Sequence, residues 1–494
     1  MKASNWITDK NEKTYLWIIW SVFSFLIAYI ACYHEPWFDE YHVWFMCKHL
    51  KVTWLWSSMM REGHFILWHL LIYPFVKFGC SYWCLQFVGG ILTSAAVWFL
   101  LMKSPFDILS KTIITFSYPL LYLFPVISRC YALIPLFLFI TAWLYTIQQK
   151  HMYLYCLFVG LIAHTHAYME GLVGILFLLF CYEQIYIPYR RKEDVSKAIK
   201  AACITIGVVV LAFLQVAGSL QYANDNFTER NNNIKEVLEG LFFFTTSKEL
   251  FIIPGNWHQL FPNSIVFSRL YGLAYLLLWS FTFFNIILIF LKIKINKKYI
   301  LVFLVAVGWQ IIMALFVYGF GHQRLFLPII ILFFILWISY NTKVKNNVRA
   351  IIICIFFMTA GHINILNDIN GLFCEDTDLQ KYVEKEIPHN EILYFTAYYM
   401  KSIEMDLYNN YNIHFLTEST NVSSPRFLSE ELLNSIFSNC NQPTTIYIFT
   451  DKMYQNRIGE YHLTMLTNIG KYYIYKTICL SNMTQERNKP IKRR

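Results

Sequence analysis

Charged residues are scarce in this chain. Asp, Glu, Lys and Arg make up 15% of its 494 residues, against about 25% in soluble globular proteins, and that deficit excludes a soluble enzyme of this length. Metal-type cysteine pairing is also missing. Most of the cysteines lie inside apolar runs, where a thiol behaves as a small hydrophobe. Cys80 and Cys84 are close in sequence but have no supporting ligands nearby. Cys374, Cys440 and Cys479 lie in the C-terminal region and are available for a disulfide if that region faces an oxidising compartment. No internal repeat or low-complexity tract stands out. The sequence has no paired, Gly/Pro-interrupted short helices of the kind that mark inverted-repeat transporters. The first apolar run lacks a small-residue cleavage site, so it reads as a retained helix rather than a signal peptide.

What the chain has instead is apolar length. Hydrophobic residues reach 57% and aromatic residues 19%. Runs of roughly seventeen apolar residues or more recur up to residue 365, each long enough to cross a ~30 Å hydrocarbon layer. The pattern predicts an α-helical polytopic membrane protein with about eleven spanning helices. They fall at roughly 15–33, 82–102, 112–127, 132–148, 152–166, 168–187, 199–218, 269–291, 299–318, 325–340 and 348–364. The net charge of +10 does not indicate a nucleic-acid partner, because the cations cluster in short loops between apolar runs, as the positive-inside rule requires. Lys2, Lys10, Lys13, Lys103, Lys111, Lys150, the 190–200 cluster, the 292–298 cluster, Lys343, Lys345 and Arg349 form the cytoplasmic set. That set places the N-terminus in the cytoplasm. Loops 34–81 and 219–268 then face outward.

Residues 65–78 are apolar, but as a helix they cover only about 21 Å at ~1.5 Å per residue. A crossing there would turn the later basic clusters outward, so the segment is expected to lie at the outer surface. The chain divides into a transmembrane domain at 1–365 and a small extramembrane α/β domain at 366–494. In the second, helical patterns at 376–386, 399–409 and 429–437 alternate with strands at 392–396, 445–450 and 472–477.

Polar residues at the outer face come in four places. Asp39-Glu40, with His42, follow the first span. Arg61-Glu62-Gly63-His64 open the surface helix. Ser128-Arg129-Cys130-Tyr131 lie between the third and fourth spans, and Gly321-His322-Gln323-Arg324 lie at the turn into the tenth. A carboxylate there can take a proton from an attacking hydroxyl. Arginines can grip a phosphate by paired hydrogen bonds and stabilise charge as it leaves. Together they suit attack on a lipid-linked sugar phosphate whose tail stays in the membrane.

The motifs WFDEYH (37–42), GHFILWHLLIYPFVKFG (63–79), SRCYALIPL (128–136), AHTHAY (163–168) and GHQRLFLP (321–328), in that order and spacing, resemble the GT-C fold glycosyltransferases. The resemblance covers residues 15–340 and is nearest the group of protein O-mannosyltransferases and bacterial aminoarabinose transferases. The chain departs from that group at Phe65-Ile66, where paired prolines are common, and at Cys130, where a proline is common. The resemblance implies a glycosyltransferase that takes a sugar from a polyprenyl-phosphate carrier and inverts its anomeric carbon. Asp39 would be the acceptor-activating base and Glu40 its neighbour. Arg324 and Arg129, with His64 and His322, would grip the lipid phosphate. No nucleotide sugar, Gly-rich phosphate loop or cofactor is implied.

Plainer readings stand beside these. Asp39-Glu40 suit the start of a helix, and arginines at span ends snorkel. His164 and His166, two residues apart, point to different sides of a helix, which is poor metal geometry, and read as structural or lipid-contacting. His34, Glu35, Asp39 and His42 offer ligand types for a divalent ion, but their spacing is mixed and no metal is expected. The rival function is a flippase for a lipid-linked glycan, which should carry charges at mid-membrane depth; the spans are nearly free of them. The partners expected are a polyprenyl-phosphate sugar, a glycan, lipid or protein acceptor, and membrane lipids, in a bacterial inner membrane with the C-terminal domain periplasmic. Sequons at Asn226, Asn421 and Asn482 matter only in a eukaryotic secretory protein.

Overall fold

A computed structural model describes residues 2–34, 38–62, 64–217, 277–278, 280–289, 291, 297–317, 322–359, 361–370, 376–396, 407, 410–415, 417–418, 421–425, 433, 444–450, 453–454, 457–458, 461–469 and 472–479. The chain forms two compact units. One joins residues 1–34 to 46–370, and the other joins 35–45 to 371–494. The loop expected at 219–268 and most of the helices expected at 399–409 and 429–437 lie outside the described residues.

The first unit is helical: α1 (Lys2–Ala31), α2 (Phe38–His49, entering from the second unit), α3 (Val52–Glu62), α4 (Leu67–Lys77), α5 (Trp83–Lys103), α6 (Ile108–Thr115), α7 (Leu133–Thr146), α8 (Met152–Ala163), α9 (Glu170–Phe180), α10 (Ile187–Arg190), α11 (Ser196–Val216), α12 (Ser280–Ile289), α13 (Lys297–Phe316), α14 (Leu327–Ile338), α15 (Lys345–Met358) and α16 (Ile363–Ile369). Among the described residues, five helices are long and apolar enough to cross a membrane: Asn11–Ala31, Trp83–Lys103, Ala167–Arg190, Ser196–Val216 and Lys298–Phe316. Shorter apolar helices accompany them at Cys130–Thr146, Met152–Ala163, Ser280–Ile289 and Gln323–Ile338. This is a multi-pass integral membrane protein.

The described residues do not confirm the count of about eleven spans. The stretch expected to cross at 112–127 is broken. It is α6, then a π-helical turn at Pro119–Leu123, then a loop. Pro119 has no N–H to continue the helix. Ser117 turns its hydroxyl back onto the Ile114 carbonyl at 2.6 Å, a local bond that competes with the helical ladder.

The α1–α5 contact settles the course of the first loop. Trp20 donates to the Ser94 carbonyl at 3.0 Å, Ser24 and Ser94 hydroxyls meet at 2.7 Å, and Gly90 faces Ile27. Moving up α1 means moving back along α5, so the two helices are antiparallel. The chain between them leaves and returns at one end, and α4, with eleven residues, makes no net crossing. Gly79 ends this surface helix at φ +88°, a left-handed conformation that side chains with a Cβ resist.

Elsewhere the helices pack through small residues, as lipid-embedded bundles do. A Cβ on Gly160 would sit 2.8 Å from Val208, and Thr205 donates to the Cys156 carbonyl at 2.8 Å, which seats α11 against α8.

The second unit holds α17 (Asp376–Glu386) and a five-stranded mixed sheet. Its strands are β1 (Ile392–Phe395), β2 (Asn412–Phe415), β3 (Thr444–Thr450), β4 (Thr464–Ile469) and β5 (Tyr472–Cys479), in spatial order β2-β1-β3-β5-β4. β1 pairs parallel with β2 and β3, while β5 pairs antiparallel with β3 and β4. Leu379 and Val383 of α17 cover Leu393, Phe395, Phe449 and Ile474 of the sheet, with Phe395 and Phe449 stacked at 4.6 Å. Strands β1, β3 and β5 coincide with the three strands the sequence predicts. Edge strand β4, mostly exposed, has no apolar alternation to signal it.

Candidate functional site

The site is built around the loop after the π-turn, which packs on α5 and is bonded to the turn that opens α14. After the π-turn, Ser128 folds its hydroxyl onto the carbonyls of Pro125 and Val126, both at 3.1 Å. This knot presses against α5 at Gly89, where a Cβ would come within 2.9 Å of the Ser128 hydroxyl and 3.0 Å of the Pro125 carbonyl. Only glycine allows that approach, and it fixes the extended backbone of Arg129. The Arg129 guanidinium lies 5.7 Å from the Tyr131 ring centre, within the range of a cation–π contact.

Tyr131 in turn stacks on His166 at 4.9 Å, and its hydroxyl lies 3.0 Å from His166 Nε2. The Tyr168 backbone N–H donates to His166 Nδ1 at 3.2 Å. A ring whose Nδ1 accepts a proton carries its own on Nε2 when neutral, so His166 donates to Tyr131. Burial, then the charges of Arg324, His64 and Arg129, hold His166 well below the usual imidazole range. Arg324, His64 and Arg129 therefore lie within electrostatic reach of one buried, uncharged ring. Arginines so placed can grip an anion by paired hydrogen bonds.

Each cation is placed by a separate device. Gln323, fully buried, donates from one amide nitrogen to the carbonyls of Leu123 at 3.1 Å and Ile127 at 2.9 Å. It fastens the Arg324 turn (His322–Phe326) to the loop that leads to Arg129. Gln215 accepts from the Ile66 backbone N–H at 3.0 Å and donates to His164 Nδ1 at 3.0 Å. His164 Nε2 donates to the Val208 carbonyl at 2.8 Å. That chain of bonds anchors the segment bearing His64 to α8 and α11. Trp309 donates to the Ala167 carbonyl at 2.8 Å and lies flush on Gly171, which steadies the backbone beside His166.

An apolar cavity of about 330 Å³ lies among α12, α13, α14 and α15 and is lined by Phe303, Val307, Gly308, Pro328, Leu332 and Met358. Pro328 stands one helical turn beyond Arg324.

Gln323 thus ties the Arg324 turn to the loop that leads to Arg129, and Arg324, His64 and Arg129 all act on His166. Asp39 and Glu40 occupy the first turn of α2, within the second unit; Asp39 is half-buried and Glu40 fully buried. The His322 side chain lies outside the described residues, as do the side chains of Arg61 and Glu62. The spacing of His164 and His166 suggests only a structural or lipid-contacting role for His166, although AHTHAY falls at the same end of the bundle as the arginine motifs. Gln323 does not stand out in sequence either; its amide in the apolar run GHQRLFLP is the available signal.

No family model matches this chain, and no curated protein matches it. Among solved structures, the aminoarabinose transferase ArnT from Cupriavidus metallidurans, bound to undecaprenyl phosphate, aligns over 96% of this chain and 98% of that chain, with a TM-score of 0.51 at 9% sequence identity. Its apo form aligns over the same shares at 9% identity and a TM-score of 0.49. The chain has the GT-C fold. The fold leaves the donor and acceptor to chemical argument.

Proposed function

We propose that this GT-C chain is a membrane glycosyltransferase that moves a sugar from a polyprenyl-phosphate carrier to an acceptor hydroxyl on the non-cytoplasmic side. The observation that carries the reading is that Gln323, next to Arg324, is bonded to the loop that leads to Arg129, itself seated on Gly89 and beside the Tyr131 ring. Two arginines with His64 at one end of an apolar bundle suit a phosphate whose tail remains in lipid. The acceptor oxygen attacks the anomeric carbon, Asp39 takes the acceptor's proton, and Glu40 orients Asp39. The bond from that carbon to the phosphate oxygen breaks, and the phosphate leaves with the electron pair to be held by Arg129, Arg324, His64 and His322. Attack opposite the leaving group inverts the anomeric centre. No step calls on a metal.

The apolar cavity below Arg324 takes the first part of the polyprenyl tail. The loop 219–268 and the C-terminal α/β domain select the acceptor, which is a glycan, a lipid or a protein. The basic ends of the spans face the cytoplasm of a bacterial inner membrane, and the α/β domain is periplasmic.

The test incubates the purified chain in lipid nanodiscs with a panel of polyprenyl-phosphate sugars. Consumption of one donor with release of polyprenyl phosphate is the expected result, with turnover abolished in Asp39→Asn while undecaprenyl phosphate still binds. A panel left intact, alongside movement of a lipid-linked glycan across vesicles that survives Asp39→Asn, would establish the flippase instead.

A further inference from the structure

A buried acid sits in the helical unit that the phosphate site does not use. Asp368 of α16 is 1% exposed. One of its oxygens, Oδ2, accepts from His34 Nδ1 at 2.7 Å and from the Tyr122 hydroxyl at 2.8 Å. His34 is equally buried, and the other oxygen, Oδ1, has no hydrogen-bond partner among the described residues. A carboxylate taken out of water needs strong compensation, and here it comes from two donors on one oxygen. The segment around Asp368 is bound to the π-turn at further points. Asn364 donates to the Tyr118 hydroxyl at 3.1 Å, His362 lies 2.9 Å from the Phe116 carbonyl, and a Cβ on Gly361 would strike the Tyr118 ring at 2.7 Å. Other hydrogen bonds and packing therefore hold α16 in place, and the bond to His34 is an addition.

The position of that bond in the chain is informative. His34 is the last residue of the helical unit before residues 35–45 join the other unit, and the helical unit ends again at Asn370, two residues past Asp368. Both places where the chain leaves the helical unit are thus tied by one hydrogen bond. Five residues beyond His34 comes Asp39.

We propose that His34 and Asp368, with Tyr122, form a pin at the root of both crossings, and that they are positioning residues for the segment bearing Asp39 and Glu40. The pin also reaches, through Tyr122, the π-turn whose outgoing loop carries Arg129. Its catalytic consequence rests on the proposed role of Asp39; the pin itself does not.

The experiment measures amide hydrogen exchange across residues 38–45 in the purified full chain, together with undecaprenyl phosphate binding and turnover of the consumed donor. In Asp368→Asn, exchange at 38–45 should rise about tenfold, as local opening without global unfolding does. Peptides of α8 should keep their rates, and undecaprenyl phosphate should bind as before. Turnover per molecule should fall, with the KM for donor unchanged. Tyr122→Phe, which removes one donor and no charge, should give the same pattern at smaller amplitude and guards against a misfolded Asp368→Asn. Exchange at 38–45 left at its wild-type rate in both variants overturns the pin. So does a uniform rise over all peptides with a lower Tm, which is what a merely structural bond predicts. Raised exchange at 38–45 with unimpaired turnover upholds the pin and removes Asp39 from the chemistry.

Discussion

At the end of the helical unit where Lys103, Lys150, Arg190 and Lys298 fall, acid meets base. Glu183 pairs with Lys298 and also accepts from the Tyr145 hydroxyl at 3.2 Å and the Gln148 amide at 3.1 Å. Asp107, which caps α6 by accepting from the Ser110 N–H at 3.1 Å, pairs with Arg349 at 3.3 Å. At the opposite end, Arg324, His64 and Arg129 all act on buried His166. Paired charge ties helices together and asks for nothing more. Arginines beside a buried neutral ring suit a phosphate, so on the proposed function one end holds the bundle and the other binds the ligand.

Substitutions can break that division. The largest effect is expected at the His166 end. Arg324→Ala or Arg129→Ala should lower donor turnover by about a thousandfold, the range for removing a group that stabilises departing charge, as assays of the purified chain would show. Lys in place of either arginine should recover only part of the rate, since an ammonium lacks the paired donors. The converse belongs to the other end. Lys298→Met leaves Glu183 with its neutral partners and should destabilise the chain by about 2 kcal/mol, below the ~3–5 kcal/mol for fully buried pairs, while turnover of the folded protein is unchanged. Equal loss of turnover from Lys298→Met and Arg324→Ala would erase the distinction.

A smaller effect sharpens the same contrast. Gly171→Ala places a Cβ 2.2 Å from Trp309 Cβ, so Trp309 must move, and with it its bond to Ala167 beside His166. Overpacking of this kind costs about 1–3 kcal/mol, and here it should also weaken undecaprenyl phosphate binding several-fold. Gly207, which has open space around it on α11, should accept alanine with no change in binding, as a titration with the lipid phosphate would show.

Much of this architecture is legible in the amino-acid sequence. Apolar run length declares the spans because lipid leaves few alternatives to helix, and Arg129, Arg324 and His64 announce themselves as cations at span ends. The break at Pro119 is hidden because apolarity over 112–127 is continuous, and apolarity reports burial in lipid, not the continuity of a hydrogen-bond ladder. His166 is hidden because its importance lies in which residues stand about it, and three of those are distant in sequence. Asp368 in INILNDIN carries a signal in principle, a carboxylate among apolar residues next to a domain boundary. Its partner His34 is 334 residues away, and no local pattern reaches that far. The C-terminal strands β1, β3 and β5 are readable because apolar, β-branched and aromatic residues mark buried strands, whereas β4 pairs along one edge and buries little.

The smallest effect concerns protons. His166 titrates below the ordinary imidazole value because it is buried and because Arg324, His64 and Arg129 stand near it. A group with a depressed native value favours the deprotonated fold. Its contribution to stability is complete above the unfolded value of about 6.5 and is lost as the pH falls through that value towards the lower native one. A bound phosphate anion offsets the three cationic charges, so it should raise the His166 value towards normal. Linkage then requires proton uptake on binding. Undecaprenyl phosphate should bind more tightly as the pH falls from about 7 to 5.5, by a few-fold, the change being no larger than the shift the anion causes. His166→Gln keeps an amide that can donate to Tyr131 and removes the titration, so it should flatten that slope while leaving affinity at about pH 7.5 nearly unchanged. A slope that survives His166→Gln would move the proton to the phosphate itself or to His64, and the His166 end would then owe its ligand dependence to the arginines alone.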